Sequence, residues 1–239
     1  MSCILNIETS TSVCSVALSM DGEVLFAKAS FDGPSHAALL GVFVEEALSV
    51  LKKKGKKALD AVAVSSGPGS YTGLRIGVSV AKGLCFGFGI PLIGIHTLDI
   101  MAATVNSKGD SQIVSITDDC LYCAMLDARR MEVYAAIYDA SLKPVRETKA
   151  DIVEASTYAS YLEKGKVCFF GNGASKCKSV ITSPNAIFIE DIHPLAVNMI
   201  PLSEQAFAAG KFEDTAYFEP FYLKEFQATV AKNKVLLAR

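Results

Sequence analysis

The sequence predicts an α/β protein of two lobes, each running β-β-β-α-β-α-β-α, on three observations. Residues 13–20 alternate cleanly, with Val13, Ser15, Ala17 and Ser19 on one side and Cys14, Val16, Leu18 and Met20 on the other, and Asp21-Gly22 after them is a strong hairpin signal. Helical and strand periods then take turns up to a helix starting near Thr97. From Gln112 the same order of elements restarts. A chain of 239 residues, 51% of them apolar, is long enough to bury the cores this requires.

The elements follow in order. Residues 2–8 are a short apolar run, closed by the hydroxyl-rich turn Thr9-Ser10-Thr11-Ser12; residues 13–20 and 23–30 complete a three-stranded antiparallel opening. A helix over 36–54 carries Leu40, Phe43, Ala47 and Leu51 at helical spacing, widened by Leu39 and Leu48, with lysines in its last turn where the helix dipole favours them. Residues 60–65 read as a buried strand, 66–71 as a loop, 72–86 as a helix and 91–95 as a strand.

In the second half, strands are expected at 113–117, 122–127, 132–138 and 144–148. A helix over 155–164, a strand over 167–170, a helix over 174–181, a strand over 186–190 and a helix over 194–209 follow, with Pro194 suited to the first turn of the last one. Two such lobes, at 1–109 and 110–239, form the ribonuclease-H-like plan of the actin, sugar-kinase and Hsp70 superfamily. The fold class is therefore α/β, actin-like. The duplication is one of element order only, and a fold of this kind assigns no chemistry by itself.

Composition excludes some roles. A net charge of −2 and a pI near 6.0 argue against a protein whose main task is to grip nucleic acid. The positive mean hydropathy of +0.33 implies either a large core or an apolar face covered by another subunit. Seven scattered cysteines and the absence of a charged-then-apolar leader point to a reduced, cytoplasmic protein. Residues 83–98 lack Asp, Glu, Lys and Arg, but they fall short of the ~20 residues a membrane span needs and are interrupted by glycines and Pro91.

Two segments are candidate anion sites. The turn Glu8-Thr9-Ser10-Thr11 pairs a carboxylate with small hydroxyl residues, and it reads equally well as an ordinary polar hairpin. The loop holding Gly67, Gly69, Ser70, Tyr71 and Thr72 opens a helix, whose first N–H groups and dipole favour an anion. Its alternative is a tight turn with close packing through Gly73 and Gly77, four residues apart on one face. It lacks the Lys-Ser/Thr of a Walker A loop.

Other features read plainly. Arg129 and Arg130 make the second hairpin too bulky for a phosphate loop. Cys120-x-x-Cys123, if in a strand, has its thiols on opposite faces. The run Lys52-Lys53-Lys54-Gly55-Lys56-Lys57 reads as a solvated helix end, its alternative a contact for nucleic-acid phosphate within a complex.

The stretch Gly67-Pro68-Gly69-Ser70-Tyr71-Thr72-Gly73-Leu74-Arg75 resembles the TsaB (YeaZ) family, and the resemblance covers nearly the whole chain. Ile4-Leu5-Asn6-Ile7-Glu8-Thr9-Ser10-Thr11, Asp127-Ala128-Arg129-Arg130-Met131-Glu132-Val133-Tyr134, Gly171-Asn172-Gly173 and Pro220-Phe221-Tyr222-Leu223-Lys224 are similar to its other motifs, in the same order. Family members usually have Asp where Glu8 stands.

The resemblance implies a partner subunit in forming N6-threonylcarbamoyladenosine (t6A) in tRNAs reading codons that begin with A. It implies a heterodimer with the catalytic, metal-binding paralogue TsaD and the ATPase TsaE as third member. A homodimer is expected when the chain is alone, with tRNA reached only through the complex. No cofactor is expected to bind tightly, and ATP or ADP only weakly or at the subunit interface. Aligning Pro91-Leu92-Ile93-Gly94 with the paralogue puts its two metal histidines at Thr97 and Met101. Neither suits a metal, so no metal site and no catalytic residue is expected here. The family pairs through first-lobe helices, which makes Leu40, Phe43, Ala47, Gly73, Arg75, Gly77 and Ala81 the expected interface. The competing reading is an independent actin-like kinase or ATPase.

Overall fold

The structure, a computed structural model, describes residues 2–33, 35–55, 58–108 and 120–223. Its first half holds strands Cys3–Glu8 (β1), Cys14–Met20 (β2) and Glu23–Ser30 (β3), helix His36–Lys53 (α1), strand Ala61–Gly67 (β4), helix Tyr71–Phe88 (α2), strand Leu92–His96 (β5) and helix Thr97–Lys108 (α3). The sheet order is β3-β2-β1-β4-β5, antiparallel through the first three strands and parallel from β1 outward to β5.

The second half holds Leu121–Asp127 (β6), Glu132–Tyr138 (β7), Pro144–Ile152 (β8), helix Ala159–Leu162 (α4), Val167–Phe170 (β9), a 3₁₀ turn Ser175–Cys177, Ala186–Ile189 (β10) and helix Ala196–Ala208 (α5). Its order, β10-β9-β6-β7-β8, repeats the first plan: an antiparallel triplet with two parallel strands beside the central one. The duplicated actin-like arrangement is therefore a property of the strand pairing itself. The expected strand at 113–117, Lys56, Lys57, Lys224 and the boundary at 109/110 lie outside the described residues.

Alternation puts Cys3, Leu5 and Ile7 of β1 on the face covered by α1 and α2, with Leu40, Phe43, Ala47, Leu51 and Val78. Ile4 points the other way, with Ala61, Ala63, Ile93 and Met199 of α5. The two halves exchange helices. Helix α5 covers the first sheet, whereas Leu98, Met101, Ala102 and Val105 of α3 pack on the second, against Tyr122, Ala124, Leu126 and Phe170. Glu204 fastens α5 to the first hairpin, accepting from Ser2 Oγ at 2.6 Å, Ser19 Oγ at 3.0 Å and the Gly22 N–H at 3.1 Å.

Three expected helices differ. The one over 155–164 shrinks to α4 because Thr157 Oγ1 takes the Glu154 N–H at 2.8 Å and holds that stretch in a turn. The one over 174–181 is a single 3₁₀ turn, in a segment too short between Gly173 and Pro184 to propagate a helix. The last begins at Ala196 rather than Pro194; its first N–H is taken by Ser15 Oγ of β2 at 2.9 Å, and it accommodates Pro201 inside.

Beyond α5 the chain returns to the first lobe. Glu213 N–H donates to Leu92 O at 2.9 Å, Lys82 Nζ holds the carbonyls of Ala216 and Phe218, and Phe221 N–H donates to Ser66 O at 2.6 Å. This strap ends beside the start of α2, where Arg75 Nε donates to Tyr222 Oη at 3.2 Å and lies over the Tyr71 ring.

Candidate functional site

The two sequence-expected anion segments meet, but they close on each other. Ser70 N–H donates to Ser10 O at 2.6 Å, and Ser70 Oγ caps α2 by accepting from Gly73 N–H. A β-carbon on Gly69 would overlap the Ser10 carbonyl, one on Gly73 the Thr9 carbonyl, and one on Gly77 the Thr9 hydroxyl. Thr9 Oγ1 donates to Gly73 O at 2.8 Å. On Gly67, held at φ +108°, a β-carbon would stand 2.8 Å from Phe221 O in the strap. The glycines admit the chain's own backbone, which is the packing alternative. They do not form a phosphate cradle. Tyr71 and Thr72 remain at the rim, half-buried and exposed respectively.

Glu8 is fully buried among these groups. Oε1 accepts the Ser10 N–H at 2.5 Å, while Oε2 and Ser10 Oγ have no hydrogen-bond partner among the described residues. Burial pushes the Glu8 carboxyl up to about 7, against the smaller lowering effect of its bonds from Ser10 and Ser65. Thr11, also buried, is held through its carbonyl by His36 Nε2 at 2.8 Å.

The expected partner residues need correction. Leu40, Phe43, Ala47 and Ala81 lie in the first lobe's core, and Gly73 and Gly77 face Thr9, so six of the seven are buried inside the lobe. Their helical period marks the lobe's own core stripe. Only Arg75 is exposed, and Tyr71 and Tyr222 hold it.

The outer face of the adjacent helices α1 and α2 is different. It carries exposed Gly41 and Val42 on α1, and exposed Ser79, Gly83, Phe86 and Gly87 on α2. Phe86 is 87% exposed, Phe88 52% and Val42 48%, and β-carbons on Gly41, Gly83 and Gly87 would meet nothing within 4 Å. These exposed small and apolar residues on two adjacent helices are surface that another subunit can cover. The signal in the sequence was Phe86 and these glycines lying off the core stripe.

In the second lobe, Arg129 and Arg130 adopt left-handed φ values of 70° and 50° in the β6–β7 turn. Asp127 Oδ1 accepts the Arg129 N–H at 2.9 Å and pairs with Lys176. A β-carbon on Gly171 would overlap the Met101 methyl and the Met125 carbonyl, so the Gly171-Asn172-Gly173 turn packs directly on α3 and β6. Thr97 and Met101, where the catalytic paralogue's histidines align, are both fully buried. Met101 fills the contact between α3 and Gly171, and these residues do not fit a metal site. His96 sits at the surface, its ring edge-on to Phe221, and His193 packs edge-on to Phe31.

Comparison with known proteins accords with this geometry. The family model described as TsaD, tRNA N6-adenosine threonylcarbamoyltransferase, matches residues 32–232. The tRNA threonylcarbamoyladenosine biosynthesis protein TsaB of Escherichia coli (strain K12) is 32% identical over 232 residues, covering 92% of this chain and 94% of that protein. A tRNA N6-adenosine threonylcarbamoyltransferase of Nitratidesulfovibrio vulgaris (strain DP4) is 38% identical, but over 112 residues, 41% of this chain and 31% of that protein. Among solved structures, YeaZ from Pseudomonas aeruginosa has a TM-score of 0.74 at 25% identity, covering 93% of this chain and 100% of that one. Another structure, of a Pseudomonas aeruginosa protein described as similar to peptidase YeaZ, reaches 0.79 at 26% identity, covering 94% of this chain and 100% of that one. The match to the transferase model across most of the chain, and to TsaB along nearly its whole length, means that this chain belongs to the TsaB (YeaZ) family.

Proposed function

We propose that the chain is the non-catalytic partner subunit of the t6A-forming machinery, pairing with a TsaD-type catalytic subunit and working with a TsaE-type ATPase. The relatives named tRNA threonylcarbamoyladenosine biosynthesis protein TsaB support the pathway. The observation that carries the partner role is the exposed α1–α2 face, with Phe86 among Gly83, Gly87 and Gly41. The same face serves as the homodimer contact when the chain is alone. The buried Thr97 and Met101, and a glycine loop closed on Thr9 and Ser10, support a binding role over chemistry of its own. tRNA is reached through the complex, and the protein acts in the cytoplasm; among the described residues no helix is long and apolar enough to cross a membrane.

The test mixes this protein with the TsaD-type protein of the same organism and follows mass by light scattering. A one-to-one heterodimer formed at the expense of the homodimer is the expected result. Two species that never combine, with the isolated chain turning over ATP, would instead identify an independent enzyme.

A further inference from the structure

Cys120, immediately before β6, and Cys168, in β9, bring their sulfur atoms to 2.8 Å from each other, although 48 positions separate them in the chain. Both are buried, at 2% and 1% exposure, on the face of the second sheet that α3 covers. Cys123, three residues after Cys120, lies on the opposite face with Tyr158 and Cys177. The Cys-x-x-Cys spacing therefore does not give the pair; the adjacent parallel strand does. The register sets Leu121 opposite Val167 and Tyr122 opposite Cys168, and residues two apart share a face, so Cys120, Tyr122 and Cys168 all point toward α3.

Either sulfur can be the donor in this contact. With Cys168 as donor, its hydrogen bond holds the Cys120 thiol below the usual thiol range, opposed by burial and assisted by Lys166, while Cys168 is held above it. Closing from 2.8 Å to the ~2.05 Å of a disulfide requires the sulfurs to approach by less than ~1 Å. Cys120 also stands at the start of its strand, where local opening admits a small oxidant most readily.

We propose that Cys120 and Cys168 are an oxidative modification site, at which a hydroperoxide closes a disulfide tying β6 to β9 beneath α3. The Cys120 thiolate attacks one peroxide oxygen, the O–O bond breaks, and a sulfenic acid forms as the first water leaves. The Cys168 sulfur then attacks the Cys120 sulfur, the S–O bond breaks, and the second water leaves with the remaining proton. Two thiols and one hydrogen peroxide give one disulfide and two waters; the sulfurs lose two electrons and the peroxide gains them. The step is independent of the role in tRNA modification.

The experiment treats the folded, reduced full chain with hydrogen peroxide and measures intact mass, peptide linkage and melting temperature. The expected result is a loss of about 2 Da, a peptide joining Cys120 to Cys168, reversal by a phosphine reductant, and a rise in Tm of roughly 5 °C or more. Cys168→Ser should abolish the linkage and leave a sulfenic acid on Cys120 that dimedone traps. The wild-type peptide map decides even where that variant fails to fold. Unchanged mass, oxygen added at Cys120 without linkage, or a link through Cys123 or Cys177 would each overturn the proposal.

Discussion

Gly73, in the first turn of α2, lies so close to Thr9, at the end of β1, that a β-carbon on it would overlap the Thr9 carbonyl oxygen. Thr9 returns the contact by donating its hydroxyl to Gly73 O at 2.8 Å. One turn later Gly77 leaves room for that hydroxyl. The stripe of glycines on α2 is thus the imprint of a turn more than sixty residues earlier.

A methyl group at position 73 has only backbone to push against. Gly73→Ala should cost roughly 3 kcal/mol or more, and Gly77→Leu at least as much, read as lower denaturation midpoints. A Gly77→Leu variant that folds with wild-type stability would contradict this packing.

Phe86 has the opposite character. Phe86→Asp should leave stability within about 0.5 kcal/mol of wild type, because the ring is exposed in the isolated chain. The same change should weaken homodimer and TsaD-type pairing at least tenfold, about 1.4 kcal/mol, measured by analytical ultracentrifugation. Unaltered association would move the interface elsewhere.

Glu8 makes stability depend on pH. Its carboxyl is raised from 4.5 to about 7 by burial, so between these values the folded chain binds more protons than the unfolded one. The stability it contributes is fully present below about 4.5 and is lost as pH rises through about 7. Glu8→Gln keeps the neutral shape and should remove this slope, stabilising the protein by up to roughly 3 kcal/mol at pH 8. Denaturant titrations of both proteins at pH 5 and pH 8 check it; parallel pH profiles would show that the carboxyl is not held neutral.

Glu204 joins the halves through three hydrogen bonds to the first hairpin. Glu204→Ala removes the acceptor shared by Ser2, Ser19 and Gly22 and should cost roughly 2 kcal/mol. Hydrogen exchange should show α5 opening more readily than α1 in this variant, whereas uniform protection would mean that packing alone holds α5 down.

What the sequence revealed was local. Alternation at 13–20 and the Asp21-Gly22 turn gave β2 and β3, and the spacing of Leu40, Phe43, Ala47 and Leu51 gave α1. The same spacing, read as a docking stripe, marks residues buried in the lobe's own core, because a core stripe and a docking stripe look alike when period is the only guide; Phe86 was visible only as an apolar residue off that stripe. The contacts that shape the site and the cysteine pair are non-local: Gly73 with Thr9, Phe221 with Ser66, Cys120 with Cys168. Nothing in the local period of either partner announces such a pair. The shortening of the helix expected over 155–164 has a local cause instead, since Thr157 engages nearby backbone in a turn that periodicity does not register.

The most direct measurement of the central claim is threonylcarbamoyl transfer to unmodified tRNA by the TsaD-type and TsaE-type proteins of the same organism, with and without this chain. Transfer is expected only when the chain is present, restored by the wild type and by Glu8→Gln but not by folded Phe86→Asp. Transfer at full rate in its absence, or full rescue by Phe86→Asp, would contradict it.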